Sequence, residues 1–426
     1  MMPMDVNATG RSDVVVVSRV TDISGTPRTR IATHPSNATG KIAPEAVHIN
    51  EDLPYHVALF PLDVTGDGRT DLVHIEHDRS TFVITVLLST SNGFISQSSI
   101  TFEPDSIGGS FRCGDFQGNG RVGMVYIYQS GPNIGFVQLL SDGRTFTPLP
   151  ALAGPANVLL DNVRIIIGDL NGNGEEDVFL VSPSGQHCDI SFLESQNGTL
   201  KLHPHEGLQR AGESITWTSS IIVLPYSVDE DGKTSLLVAS EDTSSGTLSL
   251  QLLRSNSRTL LPSPLPVDTN ISYNGNLAIA RVASISSLDL VNTFNVQSDK
   301  TEITVLQFRD GNFVRVDGAR QGPSYTNSTW GDFRGIGRLD LMLNTQNGFE
   351  GQFDVSFMPC ASAQPVDFIS GYTNGMDARV DILYAPLSDR TVYRTDPNVS
   401  TAPLAALNGM ARNVSSKCQL IHFRHL

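Results

Sequence analysis

The residues best placed to do chemistry stand in short polar loops. Asp63, Thr65, Asp67, Arg69 and Asp71 fill alternate positions, one to nine, of a single turn, and Asp169, Asn171, Asn173, Glu175 and Asp177 repeat the arrangement. Calcium is a hard cation that takes about six to eight oxygens, often from carboxylates and backbone carbonyls. Side-chain oxygens at positions one, three, five and nine, with the carbonyls of Arg69 and Glu175 at position seven, would make such a cage. Gly66 and Gly68 permit the positive φ values that so tight a turn needs. The first loop offers Asp5, Asn7, Thr9 and Asp13 at the same positions. The pattern is not an EF-hand, because a bidentate Glu at position twelve is missing and the flanks read as strands.

Other copies lose ligands. The third keeps Asp115, Gln117 and Asn119 but ends in Gly123; the fifth has Ser227, Asp229, Asp231 and Ser235. The seventh places Arg334 and Ile336 at ligand positions and is expected to hold no ion. A competing reading of every copy is an Asp/Asn/Gly turn held by its own side-chain-to-backbone hydrogen bonds. Calcium in a full oxygen cage would be structural rather than catalytic, since no coordination position stays open.

The elements that position these loops follow from their spacing. The template LDVTGDGRTDLVHI recurs as GDLNGNGEEDVFLV, MDVNATGRSDVVVV, GDFQGNGRVGMVYI and GDFRGIGRLDLMLN, with weaker copies beginning at Tyr226, Ala280 and Tyr372. The ninth positions are Asp13, Asp71, Gly123, Asp177, Ser235, Asp289, Asp340 and Asp381, separated by 58, 52, 54, 58, 54, 51 and 41 residues. Gly/Asn/Ser turns before Ile42, Phe94, Phe146, Leu200, Leu260 and Phe313 keep the same step. Between the markers lie four short runs rich in Val, Ile, Thr and Phe, bounded by turn residues, which predict strands. Four-stranded units of roughly 40–55 residues predict an all-β propeller, each blade burying its faces against its neighbours. Residues 1–426 therefore read as one domain. Eight loops favour eight blades, with seven as the alternative because the last step is short. The first loop has only four residues before it, so the C-terminal run CQLIHFRHL is expected to supply its missing strand and clasp the ring.

Composition narrows the partners. The net charge of −15 and pI near 5.0 repel phosphate backbones and exclude a nucleic-acid binder. No apolar stretch reaches transmembrane length. A repeat loop begins at Asp5 with no leader pattern before it, so the chain as given is expected in the cytoplasm, or secreted if it is a fragment or mature form. Seven Asn-x-Ser/Thr sequons, Asn7 to Asn413, are a weak counter-signal in a chain rich in these residues. Cys113, Cys188, Cys360 and Cys418 form no zinc or redox spacing and are expected as idle thiols, with a disulfide or two as the alternative.

The loops LDVTGDGRTDLV and GDLNGNGEEDVF resemble the FG-GAP or VCBS repeats of integrin alpha-chain propellers, which also occur in toxin-complex proteins and in some lectins and hydrolases. The resemblance spans nearly the whole chain as a repeat pattern. It implies calcium at Asp63, Asp67 and Asp71, and at Asp169, Asn171, Asn173 and Asp177. The first loop departs from the pattern at Ala8 and Thr9. The family uses one scaffold for many ligands, so function must come from a site.

Three functions compete. The first is a module binding a small molecule, glycan or protein partner, which suits a chain without GxSxG, HExxH, a phosphate loop or any cofactor motif. The second is a lectin. The third is a cofactor-free cyclase or isomerase of small-molecule biosynthesis that encloses its substrate in the central channel. The residues available to that enzyme are Arg112, Arg164 and Trp330 on inner strands and His422 and Arg424 on the C-terminal run. The plainer reading of all five is inter-blade packing or surface contact.

Overall fold

The computed structural model describes residues 1–358, apart from short connecting segments such as 55–57, 204–210, 266–270 and 323–326. Beyond them it describes three strands, Gly371–Thr373, Arg379–Pro386 and Gln419–His425. These residues fold into eight antiparallel sheets. The second sheet shows the plan: Ala58–Leu62, Asp71–Asp78, Thr81–Thr90 and Gly93–Ser96 pair in chain order, and Ile100–Phe102 adds to the third strand. The first strands of the other sheets are Met2–Met4, Ser110–Gly114, Arg164–Gly168, Ile222–Tyr226, Asn276–Ala280, Asn327–Gly331 and Gly371–Thr373. In seven sheets the ninth loop residue opens the second strand and faces the last residue of the first, as in Leu62↔Asp71, Gly168↔Asp177 and Gly331↔Asp340.

The second strands carry adjacent apolar residues because both of their faces are covered. Successive side chains of a strand point to opposite faces. Thus Leu72 joins a cluster with Met4, Val15 and Leu87, while Val73 and Ile75 join another with Met124, Tyr126 and Phe146. Val178 and Leu180 pack toward the third sheet, and Phe179 and Val181 toward the fifth. Leu290 and Val291 divide in the same way between the fifth and seventh sheets. Among the described residues seven such clusters form, each shared by two sheets. The last joins Val14 of the first sheet to Phe333 and Met342 of the seventh sheet and its loop. Each fully buried Leu, Val or Phe contributes roughly 1.5–3 kcal/mol, so these interfaces hold the fold together.

A hydrogen-bond ladder runs from loop to loop. The position-eight N–H of one loop donates to the position-one carbonyl of the loop before it: Thr70 to Asp5 (3.1 Å), Val122 to Asp63 (2.9 Å), Glu176 to Asp115 (2.9 Å) and Thr234 to Asp169 (2.5 Å). Leu339 donates likewise to Arg281 (2.7 Å), and Ser12 of the first loop donates to Asp332 of the seventh (2.8 Å).

Two expectations change at the ends of the chain. The first loop has its own leading strand, Met2–Met4, with Met2↔Val15 and Met4↔Asp13 in register. Three residues suffice because Met4 is fully buried there among Val6, Val15 and Leu72. The C-terminal strand Gln419–His425 pairs instead with Arg379–Pro386. In that eighth sheet Asp381 faces Gly371, so the turn is one residue out of step with the other seven; its segment 374–378 lies outside the described residues.

Candidate functional site

Each acidic loop is wound around its first carboxylate. Asp63 Oδ1 accepts the N–H groups of Gly66 (2.7 Å) and Asp67 (3.1 Å), and Oδ2 accepts that of Gly68 (2.8 Å). Asp169 does the same with Gly172, Asn173 and Gly174, and Asp5 with Thr9 and Gly10. The turn requires a left-handed residue at position four. Gly66 supplies it at φ 74°, whereas in the first loop Ala8 is driven to φ 54°. A Cβ at Gly66 would also lie 3.0 Å from the Gly120 carbonyl oxygen of the next loop.

The ninth carboxylate points inward. Asp71 is 1% exposed and Asp177 is fully buried. Asp71 Oδ2 accepts Val64 N–H (3.1 Å), and its Oδ1 accepts the N–H (2.8 Å) and hydroxyl (3.0 Å) of Ser89. Asp177 accepts from Leu170 and Ser195, both at 2.8 Å. This residue therefore staples the loop to the third strand. Burial pushes the Asp71 carboxyl up to about 7; the Ser89 amide opposes that shift, and the negative charges of Asp63 and Asp67 add to it. The carboxyl of Asp177 is raised by burial and by Asp169 and Glu194.

Among the described residues, no group of three or more His, Cys, Asp and Glu side chains could hold a metal ion. The donor chemistry nonetheless suits a hard cation: the second loop gathers three mutually repelling carboxylates, and the fourth two carboxylates and two amides. Asp63 and Asp169 each accept two N–H bonds on Oδ1 and one on Oδ2, of the about four acceptor sites an ionised carboxylate has. Asn171 turns its amide N–H to Glu194 Oε1 (2.8 Å) and its Oδ1 to Asn173 N–H (2.9 Å). In the third loop Asp115 accepts from Asn119 and Gly120. The fifth and seventh loops carry their own cations. Lys233 pairs with Asp231 at 2.8 Å, and Arg334 with Asp340 at 2.7 Å.

Sequence reasoning passed over position eight. The Glu176 carboxylate accepts Asp115 N–H (2.6 Å), the Thr234 hydroxyl accepts Asp169 N–H (3.0 Å), and the Ser12 hydroxyl accepts Asp332 N–H (3.0 Å). With the backbone bond in the other direction, each makes a two-bond bridge between neighbouring loops. An acceptor side chain recurring one residue before the ninth position was the available signal.

The inner-strand candidates sit at different places. Arg112 and Arg164 lie two and four residues before the closing glycines Gly114 and Gly168, on the same face by alternation; Trp330 lies one before Gly331, on the other. Arg112 donates to the Phe111 carbonyl (2.9 Å). Arg164 donates to Ser219 and Ile221 carbonyls and stands 5.5 Å from the Trp217 ring centre. Trp330 packs against the cluster shared by the sixth and seventh sheets. His422 and Arg424 occupy strand positions facing Leu383 and Asp381, and their side chains lie outside the described residues. Cys113 and Cys188 are free thiols, with burial pushing them up to about 12 and about 11; Cys360 and Cys418 lie outside the described residues.

A cleft of about 240 Å³ opens between the second and third sheets. Phe102, Pro148 and Leu149 form its apolar wall, and Glu103 and Asp105 supply carboxylates. Tyr128 donates to Asp105 Oδ2 at 3.0 Å, and its hydroxyl is pushed up to about 12 by burial and by that carboxylate. Beside it Tyr126 stacks on Tyr128 at 5.7 Å and donates to the Ser106 carbonyl (2.8 Å). Two tyrosines of one strand face thus fix the crossover that bears both carboxylates.

No family model matches the chain, and none of the curated proteins matches it. Among solved structures it is similar to an Agrocybe aegerita lectin described as specifically recognising non-reducing terminal N-acetylglucosamine. That match has 15% identity, covers 83% of this chain and 92% of that one, and has a TM-score of 0.53. A protein from Lactobacillus plantarum (10% identity, 82% and 99% covered, TM-score 0.40) and the WD40 domain of SCAP from fission yeast (8%, 81% and 87%, 0.40) are also similar. The chain has the fold of a β-propeller. No helix of the described residues is long and apolar enough to cross a membrane.

Proposed function

We propose that this chain is a ligand-binding propeller of the FG-GAP/VCBS type, taking a hydroxyl-rich ligand such as a terminal sugar in the cleft between its second and third sheets. The cleft carries the reading. Both of its charged groups, Glu103 and Asp105, are acceptors, and the Tyr128 proton is already given to Asp105. A ligand must therefore bring donors, and the wall of Phe102, Pro148 and Leu149 accommodates a C–H face. A sugar has both, and the lectin that shares this fold recognises one.

Seven blades are the architecture we favour over eight. The Ser12–Asp332 bonds and the cluster of Val14, Phe333 and Met342 support a junction of the first and seventh sheets. In the same reading calcium stiffens the rim at the second and fourth loops. Asp63, Asp67 and Asp71, and Asp169, Asn171, Asn173 and Asp177, would hold it, with the carbonyls of Arg69 and Glu175. Bound calcium would neutralise like charges that now repel.

Saturation-transfer NMR with N-acetylglucosamine and a panel of neutral monosaccharides tests the ligand. Transfer to at least one sugar is expected, and Asp105→Asn and Glu103→Gln should each weaken it about tenfold, roughly the loss of one charge-assisted hydrogen bond. Sugar binding that neither substitution alters would place the ligand elsewhere. Binding of an organic amine but of no sugar would reassign the ligand class. Terbium luminescence, displaced by calcium and lost in Asp67→Asn, tests the rim separately.

A further inference from the structure

The geometry points to Arg334 as a built-in cation that takes the place of calcium in the seventh loop, the loop that meets the first sheet. Position three is where a ligand side chain would stand. In the seventh loop the Arg334 guanidinium occupies it and lays Nε and Nη2 across Asp340, at 3.1 and 2.7 Å. Asp340 is the ninth residue and is 3% exposed. The first loop makes the same cross-loop contact with a neutral donor, Asn7 Nδ2 to Asp13 Oδ2 at 3.1 Å. Two loops thus show that a positive or donating group at position three reaches the ninth carboxylate. Where that group is a guanidinium, its charge is always present.

The place of this loop in the fold gives the substitution a consequence. Asp332 exchanges two hydrogen bonds with Ser12, and Phe333 is buried beside Val14 and Met342. A Cβ on Gly40, in the connection between the third and fourth strands of the first sheet, would come within 2.6 Å of Arg334 Cγ, so the arginine stem also fills this junction. The first and seventh sheets are joined by no covalent hairpin of their own, because about three hundred residues separate them in sequence. A tethered cation keeps their junction closed when calcium is scarce, whereas the second and fourth loops stiffen only when it is plentiful. The inference borrows the choice of metal from the calcium reading of those two loops, while the role of Arg334 as a cation stands on its own contacts.

The test uses the full chain stripped of metal. Calcium is titrated calorimetrically into the unsubstituted protein, Ile336→Asn and the double variant Arg334→Asn/Ile336→Asn, and thermal melts are taken in calcium and in excess chelator. The double variant sets amide oxygens at positions three and five, as Asn171 and Asn173 do in the fourth loop. It should bind one calcium more per chain, melt several degrees lower in chelator than Ile336→Asn and recover in calcium, whereas Ile336→Asn alone should gain no ion. Arg334→Met should melt several degrees lower and not recover, and Arg334→Lys should melt close to the unsubstituted protein. A double variant with an unchanged ion count, or an Arg334→Met protein that melts normally in chelator, would overturn the inference. If the unsubstituted protein binds no calcium and the double variant binds one, the reading of the second and fourth loops fails and the role of Arg334 stands.

Discussion

The second and seventh loops share one frame and treat its charge in opposite ways. In the second, Asp63, Asp67 and Asp71 crowd one turn, and the buried Asp71 carboxyl is pushed up to about 7. In the seventh, Arg334 forks across Asp340. Both keep the inward ninth carboxylate that begins the second strand. The loop is therefore a structural staple in both copies, and its charge balance differs between them: a tethered cation in the seventh and three carboxylates in the second.

The largest test of that comparison removes the staple from both kinds of loop. Asp340→Ala leaves the Arg334 guanidinium facing a buried gap and should cost about 3–5 kcal/mol. Asp177→Ala strips the Leu170 and Ser195 N–H groups of their acceptor but strands no charge, and should cost about 2–3 kcal/mol. Urea unfolding of both variants in chelator measures the difference. Equal losses would mean that Arg334 contributes no more than an ordinary donor.

A smaller effect separates the loops by pH. The Asp71 carboxyl holds its proton to about 7 in the folded chain but releases it near 3.8 when unfolded. Between those values the folded state binds more protons, so stability falls as pH rises from about 4 to about 7. Glu176, pushed up to about 7 by burial and by Asp169, acts in the same direction. In chelator the fall should be on the order of a few kcal/mol. Asp71→Asn should flatten part of it, and saturating calcium should do likewise if the loop takes the ion. A stability curve that rises through this window would show that Asp71 is charged and satisfied without a metal.

Much of this was legible in the sequence because the signal repeats. The polar template marked the loops that separate first from second strands in the second to seventh sheets, and in all seven its ninth position, from Asp13 to Asp340, opens a second strand. Consecutive apolar residues such as Leu72 and Val73 suit a strand with two covered faces. What stayed hidden depended on direction rather than spacing. Spacing offers the ninth aspartate as a ligand but says nothing of its bonds to Val64 and Ser89, which tie the loop to the third strand. Nothing in a run of three residues marks Met2–Met4 as a strand, since its stability comes from Val15 and Leu72 across two interfaces. The cleft beside Asp105 was invisible because Tyr128 and Glu103, in different sheets or crossovers, meet only after folding. Arg334 was visible as a missing ligand and was read only as a loss.

The smallest prediction concerns the loop that departs from the pattern. Position four needs a left-handed backbone, and Gly66, Gly118, Gly172 and Gly335 provide it, while the first loop uses Ala8 at φ 54°. A left-handed residue with a Cβ costs roughly 1–2 kcal/mol. Replacing it by glycine removes that strain but returns roughly 0.4–1 kcal/mol of freedom to the unfolded chain. Ala8→Gly should therefore stabilise the protein slightly, by up to ~1 kcal/mol, and should pull the first loop toward the geometry of the second. The comparison sharpens if the same variant also raises terbium luminescence, because relief of strain would then let Asp5, Asn7 and Asp13 close on an ion. A variant less stable than the parent would show that Ala8 is held by contacts of its methyl group, and that the first loop is a distinct turn rather than a strained copy.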